Sequence, residues 1–128
     1  MNRKIMIVDA HPVYAPKIAA FLEGLTFKDI EIVAKSSQVV SRVRAFMPDM
    51  VILSGMLPDA DSVDILKKIK IESQSLPVIV QTGLLCDEKM CSAFENAGAV
   101  AVLPRLEKDL SHLQKAIEDV CKSIGSLR

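Results

Sequence analysis

The sequence has little of what several classes of protein need. It has no tryptophan, one tyrosine, four phenylalanines and only three cysteines. Cys86, Cys91 and Cys121 fit neither a CxxC nor a zinc pattern, so we expect reduced thiols in a cytoplasmic protein. No apolar run approaches the roughly 20 residues that cross a bilayer, and the apolar stretch after "MNRK" is too short for a signal-peptide core. We therefore expect neither a disulfide scaffold nor an association with a membrane.

An excess of charge of either sign is also absent. Sixteen lysines and arginines balance sixteen aspartates and glutamates, so no overall field attracts the chain to nucleic acid. The densest basic cluster, Lys67, Lys68 and Lys70, has no aromatic residues among it and is typical of a solvated helix face. We expect a single domain of 128 residues that does not bind nucleic acid.

The motifs of common enzymes are missing as well. The sequence contains no GxSxG, GxGxxG or P-loop motif. A flavin-binding flavodoxin-like protein would need a glycine-containing loop that holds phosphate after the first strand. The corresponding stretch, "DAHPVYAPK", has no glycine and two prolines, which remove backbone donors. We expect a protein that is not an enzyme and holds neither cofactor nor metal. A flavodoxin-like ligand-binding protein is the alternative that the sequence favours least.

What the sequence does contain is a regular alternation of apolar runs and stretches of helical period. The runs predict five strands, at residues 4–8, 29–34, 49–53, 76–82 and 99–103. Ser36 or Ser37, Asp61 and Asp87 are predicted helix caps, and an apolar stripe from Leu106 to Ile124 predicts a last helix. Continuous apolar strands between helices predict a parallel sheet covered on both faces, a three-layer α/β/α fold. Five strands at this length fit the doubly wound, flavodoxin-like order 2-1-3-4-5.

The carboxyl ends of the strands in such a sheet are where functional residues gather. Here these ends are Asp9, Ser54 and Thr82, with Arg105 after the fifth strand. Asp9 either remains as a metal ligand or hydrogen-bonds the turn before the first helix. Arg105 either pairs with Asp9 or faces solvent, and these alternatives stay open. Thr82 is expected to hydrogen-bond locally.

Four stretches, "KIMIVDAHPVY", "PDMVILSGMLPDADSVDIL", "LPVIVQT" and "AFENAGAVAVLPR", together resemble a bacterial response-regulator receiver domain of the chemotaxis-regulator type. The resemblance covers Lys4 to about Ser123. It implies an acidic pair after the first strand and, at the end of the third, an aspartate that accepts a phosphoryl group from a histidine kinase with bound Mg²⁺. It further implies a Thr or Ser ending the fourth strand and a Lys ending the fifth.

The chain departs from this pattern where the chemistry is done. The acidic pair is Asp9-Ala10, the phosphoacceptor position is Ser54, and the lysine position is Arg105, whereas Thr82 is retained. Mg²⁺ prefers carboxylate and other oxygen ligands, and a serine needs a neighbouring base to become a nucleophile. We therefore predict a pseudo-receiver that has lost aspartyl phosphorylation and acts in two-component signalling as a protein-interaction module. The alternative is a residual phosphoacceptor of a phosphorelay that uses Asp9 and another carboxylate such as Asp59.

Several apolar residues are candidates for contact with a partner. Met56 and Leu57 follow the third strand and Leu84 and Leu85 follow the fourth; they either form a docking surface or fold inward over the emptied pocket. The resemblance implies a partner and dimer face from about Asp87 to about Ser123, and Val102 stands there in place of the family's aromatic switch residue. We thus expect a protein partner, with a homodimer as a further expectation on the same face. The sequence stops after the fifth predicted helix, so it either stands alone or lacks an effector domain.

Overall fold

Five short strands, each followed by a helix, build one parallel sheet with helices on both faces. The computed structural model describes residues 3–83, 87–104 and 110–126, with side chains up to residue 123. The strands are β1 (Lys4–Val8), β2 (Asp29–Val33), β3 (Met50–Ser54), β4 (Val78–Thr82) and β5 (Ala101–Pro104). The helices are α1 (Tyr14–Gly24), α2 (Val39–Phe46), α3 (Ser62–Glu72), α4 (Glu88–Asn96) and α5 (Ser111–Ser126). The strand order is β2-β1-β3-β4-β5, which confirms the predicted fold class.

Two apolar cores sandwich the sheet because successive strand residues point to opposite faces. In β1, Met6 and Val8 belong to the core beneath α2, α3 and α4, which also contains Leu66 and Phe94. Ile5 and Ile7 belong to the other core, which packs under α1 and α5. Its helical members are Tyr14, Ala15, Ile18, Leu22, Leu113, Ile117 and Val120. Full burial of each large apolar side chain contributes about 1.5–3 kcal/mol, so these cores hold the strand ends in fixed positions.

Two of the predicted helix caps are confirmed. The Asp61 carboxylate accepts a hydrogen bond from the Val63 N–H at 2.8 Å, and the Asp87 carboxylate accepts one from the Met90 N–H at 2.8 Å. Each therefore satisfies a backbone donor that a helix start leaves unpaired. Gly98, at φ +111°, follows α4 in a backbone conformation that glycine adopts easily.

The predicted cap of α2 is wrong. A 3₁₀ turn, Ser36–Gln38, precedes this helix, and the N-cap residue is Gln38, whose side chain makes no cap hydrogen bond. The Ser36 backbone N–H and hydroxyl instead donate to the Asp59 carboxylate in the loop after β3. A charged acceptor binds a hydroxyl more strongly than a neutral one does, so the serine bonds Asp59 rather than the helix.

Smaller differences concern the strand boundaries. The Ala99 N–H donates to the Phe94 carbonyl at the end of α4, so β5 begins at Ala101, two residues later than predicted.

Some predicted residues lie outside the described part of the chain. They are Leu106, the start of the predicted apolar stripe, and Leu84, Leu85 and Arg105. In the described part of the chain, no helix is both long enough and apolar enough to cross a bilayer.

Candidate functional site

Three of the predicted site residues meet at the carboxyl edge of the sheet. Ser54 and Thr82 end β3 and β4, and Asp9 directly follows β1. The relative exposures of Asp9, Ser54 and Thr82 are only 3%, 3% and 4%. Ala10, beside Asp9, is partly buried. The pairing of Asp9 with Arg105 stays a prediction because Arg105 lies outside the described residues.

Asp9 organises the turn that enters α1. Its carboxylate Oδ1 accepts a hydrogen bond from the His11 N–H at 2.9 Å, and its own N–H donates to the Val33 carbonyl at 3.2 Å. This is the turn-bonding role that the sequence left as one of two alternatives. A carboxylate that bonds the backbone two residues on is a common way to fix such a turn.

His11 supplies the cap that α1 would otherwise lack. Its Nδ1 accepts hydrogen bonds from the Val13 N–H at 3.2 Å and the Tyr14 N–H at 3.0 Å. An imidazole nitrogen without a proton can accept in this way. Sequence analysis missed this role because histidine is not among the usual cap residues.

Ser54 is a turn residue in this structure. Its hydroxyl donates to the Met56 carbonyl at 3.1 Å and accepts from the Met56 N–H at 3.2 Å. These bonds fold the chain sharply at the end of β3, as serine hydroxyls do in short turns. A serine at this strand end is thus explained by local backbone bonding.

The loop after β3 passes very close to the end of β4. The Gly55 N–H donates to the Gln81 carbonyl at 2.7 Å. A Cβ atom at Gly55 would lie 3.2 Å from both the Gln81 carbonyl oxygen and the Thr82 Cα atom. Such contacts are tighter than most Cβ atoms make, so a side chain at Gly55 would push the backbone of β4 by a few tenths of an ångström.

Thr82 joins β4 to β5. Its hydroxyl donates to the Leu103 carbonyl at 3.3 Å, 21 residues away in sequence. The expectation of a local hydrogen bond is therefore wrong, because the partner belongs to the neighbouring edge strand.

Between these residues lies a very small cavity of about 30 Å³, lined by Ser54, Met56, Gln81, Thr82 and Gly83. This volume matches the space that one water molecule takes in the liquid. Met56 lies close to Gly83, since a Cβ atom there would be 3.5 Å from the Met56 sulfur. The surface of the cavity is more apolar than polar, and the cavity is far smaller than a ligand pocket of about 300–1,000 Å³.

The partner candidates separate into exposed and packed residues. Met56 is 73% exposed, whereas Leu57 and Val102 are partly buried and pack against the core beneath α2, α3 and α4. Leu57 therefore folds inward, whereas Met56 faces solvent and its contact with a partner stays a prediction. The predicted contact of Leu84 and Leu85 with a partner stays a prediction, because both lie outside the described residues.

The side chains at this edge do not match the ligand set of Mg²⁺. The described residues contain no group of three His, Cys, Asp or Glu side chains arranged to hold a metal ion. Ser54 offers a neutral hydroxyl and Ala10 offers no oxygen, which leaves Asp9 as the carboxylate at the described strand ends. Mg²⁺ demands six oxygen ligands, usually several waters, one or two carboxylates and a substrate phosphate, so Asp9 alone supplies the smallest number of carboxylates of such a set.

Asp59, the carboxylate suggested as a second acidic group, is engaged with another loop. It accepts hydrogen bonds from the Ser36 hydroxyl and from the Ser36 N–H at 2.9 Å. These bonds stabilise the carboxylate and hold the pKa of Asp59 below its usual value. They tie Asp59 to the chain that follows β2.

Gln81 is a buried polar residue that sequence analysis missed. Its amide Nε2 donates to the Tyr14 hydroxyl at 3.3 Å. The sequence does mark Gln81 as unusual, since it is the one strongly polar residue in the apolar run "LPVIVQT". Nothing in the sequence alone identified Tyr14, 67 residues away, as its partner.

A larger groove lies beside the exposed edge of the sheet and overlaps the predicted partner region, while Lys70, Ser75 and Pro77 line it from outside that region. It has a volume of about 900 Å³ and runs between β5 and α5. Val100, Ala101 and Leu103 form one side, and α5 contributes His112, Lys115, Ala116, Asp119 and Val120. Apolar floor and polar rim are the usual composition of a protein-contact surface.

The described residues form a doubly wound α/β domain, and comparison with known proteins gives its family. Residues 5–118 match the model of the response regulator receiver domain, and the chain belongs to this family. It is 30% identical over 82 residues to the DNA-binding response regulator MtrA of Mycolicibacterium smegmatis, covering 64% of this chain and 35% of that protein. It is 28% identical over 108 residues to the transcriptional regulatory protein LiaR of Bacillus subtilis, covering 82% of this chain and 50% of LiaR. The chain thus spans about a third to a half of the length of the curated relatives it matches.

Solved structures show the same fold. A two-component response regulator from Clostridium difficile superposes with a TM-score of 0.87 at 19% identity, covering 96% of this chain and 98% of that one. A CheY-like receiver domain protein from Methanospirillum hungatei superposes with a TM-score of 0.86 at 20% identity, covering 98% and 99%. These structures show the fold, and the family match shows that the chain is a receiver domain of the two-component response-regulator kind.

Proposed function

We propose that this receiver domain is a pseudo-receiver, a protein-interaction module that works without phosphorylation. The observation that supports this most directly is Ser54, a hydroxyl bonded to the Met56 backbone, at the strand end where the family resemblance expects the phosphoacceptor aspartate. The domain is proposed to be non-catalytic and to act through the surface that it presents.

Electrostatics support the loss of phosphoryl transfer. Phosphoryl transfer depends on positioning and on neutralising the phosphoryl charge with a metal ion and a cation. The Oδ1 atom of Asp9 accepts a hydrogen bond from the turn before α1. Ala10 and Ser54 add no negative charge to the site.

The proposed contact face is formed by α4, β5 and α5. The groove of about 900 Å³ between β5 and α5 lies on this face, and Val100 at its edge is 57% exposed. A protein partner, a second copy of the chain or an effector domain is proposed to contact it. Longer relatives such as MtrA are named as DNA-binding, and for this domain we propose protein contact rather than contact with nucleic acid.

The experiment offers the protein a small phosphodonor. The purified domain is incubated with acetyl phosphate and Mg²⁺, and its intact mass is measured. We expect no mass gain, whereas an authentic receiver domain treated in parallel gains one phosphoryl group. A gain of one phosphoryl group that hydroxylamine removes would contradict the proposal.

The same experiment addresses the alternative of a residual phosphoacceptor. If a phosphoryl group is found, Asp9→Asn and Asp59→Asn tell which carboxylate holds it. Loss of the mass gain in Asp9→Asn, with Asp59→Asn unchanged, would establish Asp9 as the acceptor. The hydrogen bonds from Ser36 to Asp59 lead us to expect no role for Asp59.

A further inference from the structure

The buried hydrogen bond between Tyr14 and Gln81 connects α1 with the carboxyl end of β4. Both residues are 3% exposed, and the Gln81 Nε2 lies 3.3 Å from the Tyr14 hydroxyl oxygen. Tyr14 belongs to the apolar core under α1 and α5. A polar group in such surroundings is costly unless it is hydrogen-bonded, so each of the two side chains needs a partner there.

Gln81 is also held through its backbone. Its carbonyl accepts the Gly55 N–H at 2.7 Å, which fixes the loop after β3 against the end of β4. The next residue, Thr82, bonds the Leu103 carbonyl of β5 at 3.3 Å. One short segment of β4 is therefore connected to α1, to the loop after β3 and to β5.

We infer that the Tyr14–Gln81 pair holds the carboxyl edge of the sheet in a single arrangement. A glutamine in an otherwise apolar run stabilises that arrangement where its amide reaches the Tyr14 hydroxyl, so a movement of the β4 end away from α1 breaks this bond and takes from the buried Gln81 amide the partner that it has there. The pair is a positioning device that keeps the loop after β3 and β5 in one geometry. This inference rests on the proposed function in one respect: a domain that receives no phosphoryl signal presents its partner face constitutively.

The test is a double-mutant cycle with Tyr14→Phe, Gln81→Met and the double variant. Hydrogen exchange of the Gly55 amide, which bonds the Gln81 carbonyl, is measured by NMR together with the amides of α1 and β2. We expect each single variant to lose about fivefold of the protection at Gly55, the factor that corresponds to about 1 kcal/mol for one hydrogen bond. The double variant is expected to lose about as much as one single variant, since both remove the same interaction.

Gln114→Met is the matched control, because Gln114 is a partly buried glutamine on α5 that bonds Glu118 at 3.1 Å. We expect it to leave the protection at Gly55 unchanged. Tyr14→Phe removes one oxygen atom and keeps the ring, so a folded variant is available even if Gln81→Met unfolds the domain. Unchanged protection at Gly55 in Tyr14→Phe, or losses that multiply in the double variant, would overturn the inference. Failure of the proposed function would instead appear as phosphoryl uptake in the mass measurement.

Discussion

Restoring the missing carboxylates should restore a magnesium site. We predict that the double variant Ala10→Asp, Ser54→Asp binds Mg²⁺, because it places two further carboxylates at the strand ends beside Asp9. The strand ends are already in register, since Val8 pairs with Leu53, the residue before Ser54. The variant would then offer the oxygen ligands that Mg²⁺ prefers.

The expected change in the free energy of unfolding follows from the hydrogen bonds that the substitutions remove and the charges that they add. Replacing Ser54 loses its two hydrogen bonds to Met56, about 1 kcal/mol each. Carboxylates about 4 Å apart at a partly solvated site repel by about 4 kcal/mol per pair. Three carboxylates form three such pairs, so we expect the metal-free variant to be less stable than the wild type by about 14 kcal/mol if all three stay ionised, and by less where one of them is protonated. Mg²⁺ at a hundred times its Kd should return about 2.7 kcal/mol.

The assay is urea unfolding of wild type and variant with and without Mg²⁺, supported by calorimetric titration of the metal. Ala10→Asn, Ser54→Asn is the control, since it has similar side-chain volume and no charge. A variant whose stability does not change with Mg²⁺ would refute the assignment of Ala10 and Ser54 to the acidic positions. A wild type that gains as much stability from Mg²⁺ as the variant would refute the electrostatic argument.

Three further predictions concern the residues that shape the site. His11→Ala should lower the free energy of unfolding by about 1 kcal/mol because α1 loses its cap, and His11→Asn should recover most of this in urea unfolding; equal stability of wild type and His11→Ala would count against the cap. Gly55→Ala should lower the free energy of unfolding, measured in urea, by about 1–3 kcal/mol because the Cβ atom would press on the backbone of β4. Gly24→Ala is the control, since no atom lies within 4 Å of a Cβ atom there, and it should leave that free energy unchanged or raise it by up to about 1 kcal/mol. Ser36→Ala should raise the pKa of Asp59, measured by NMR titration, because it removes the hydroxyl donor that lowers that pKa. Since the folded pKa is depressed, the stabilisation by Ser36 is present above about pH 4 and is lost as the pH falls through the folded pKa; an unchanged titration in Ser36→Ala would reject the hydrogen bond as the cause.

The parts of the fold that sequence predicted depend on local pattern. The strand order followed from five apolar runs with helical stretches between them, and the caps Asp61 and Asp87 followed from their position before those helices. Such signals involve neighbours three or four residues apart, which a sequence displays directly. The strand ends Asp9, Ser54 and Thr82 were predicted for the same reason.

The contacts that sequence did not predict join distant parts of the chain. Ser36 bonds Asp59 from 23 residues away, and Gln81 bonds Tyr14 from 67 residues away. The need for glycine at Gly55 arises from the backbone of β4, a separate strand. Helical period and strand alternation contain no information about such partners, because tertiary packing alone brings them together.

The central claim is that this edge of the sheet no longer binds Mg²⁺ beside a phosphoryl group. The most direct test is to titrate the wild-type domain with Mg²⁺ and beryllofluoride and to monitor the amide chemical shifts of Asp9, Ser54 and Thr82 by NMR. The account predicts no saturable shift at these residues, because a site with so few anionic oxygens does not hold a divalent cation beside a phosphoryl mimic. Saturable shifts confined to this edge, with both ions seated beside Asp9 in a crystal of the same complex, would contradict it.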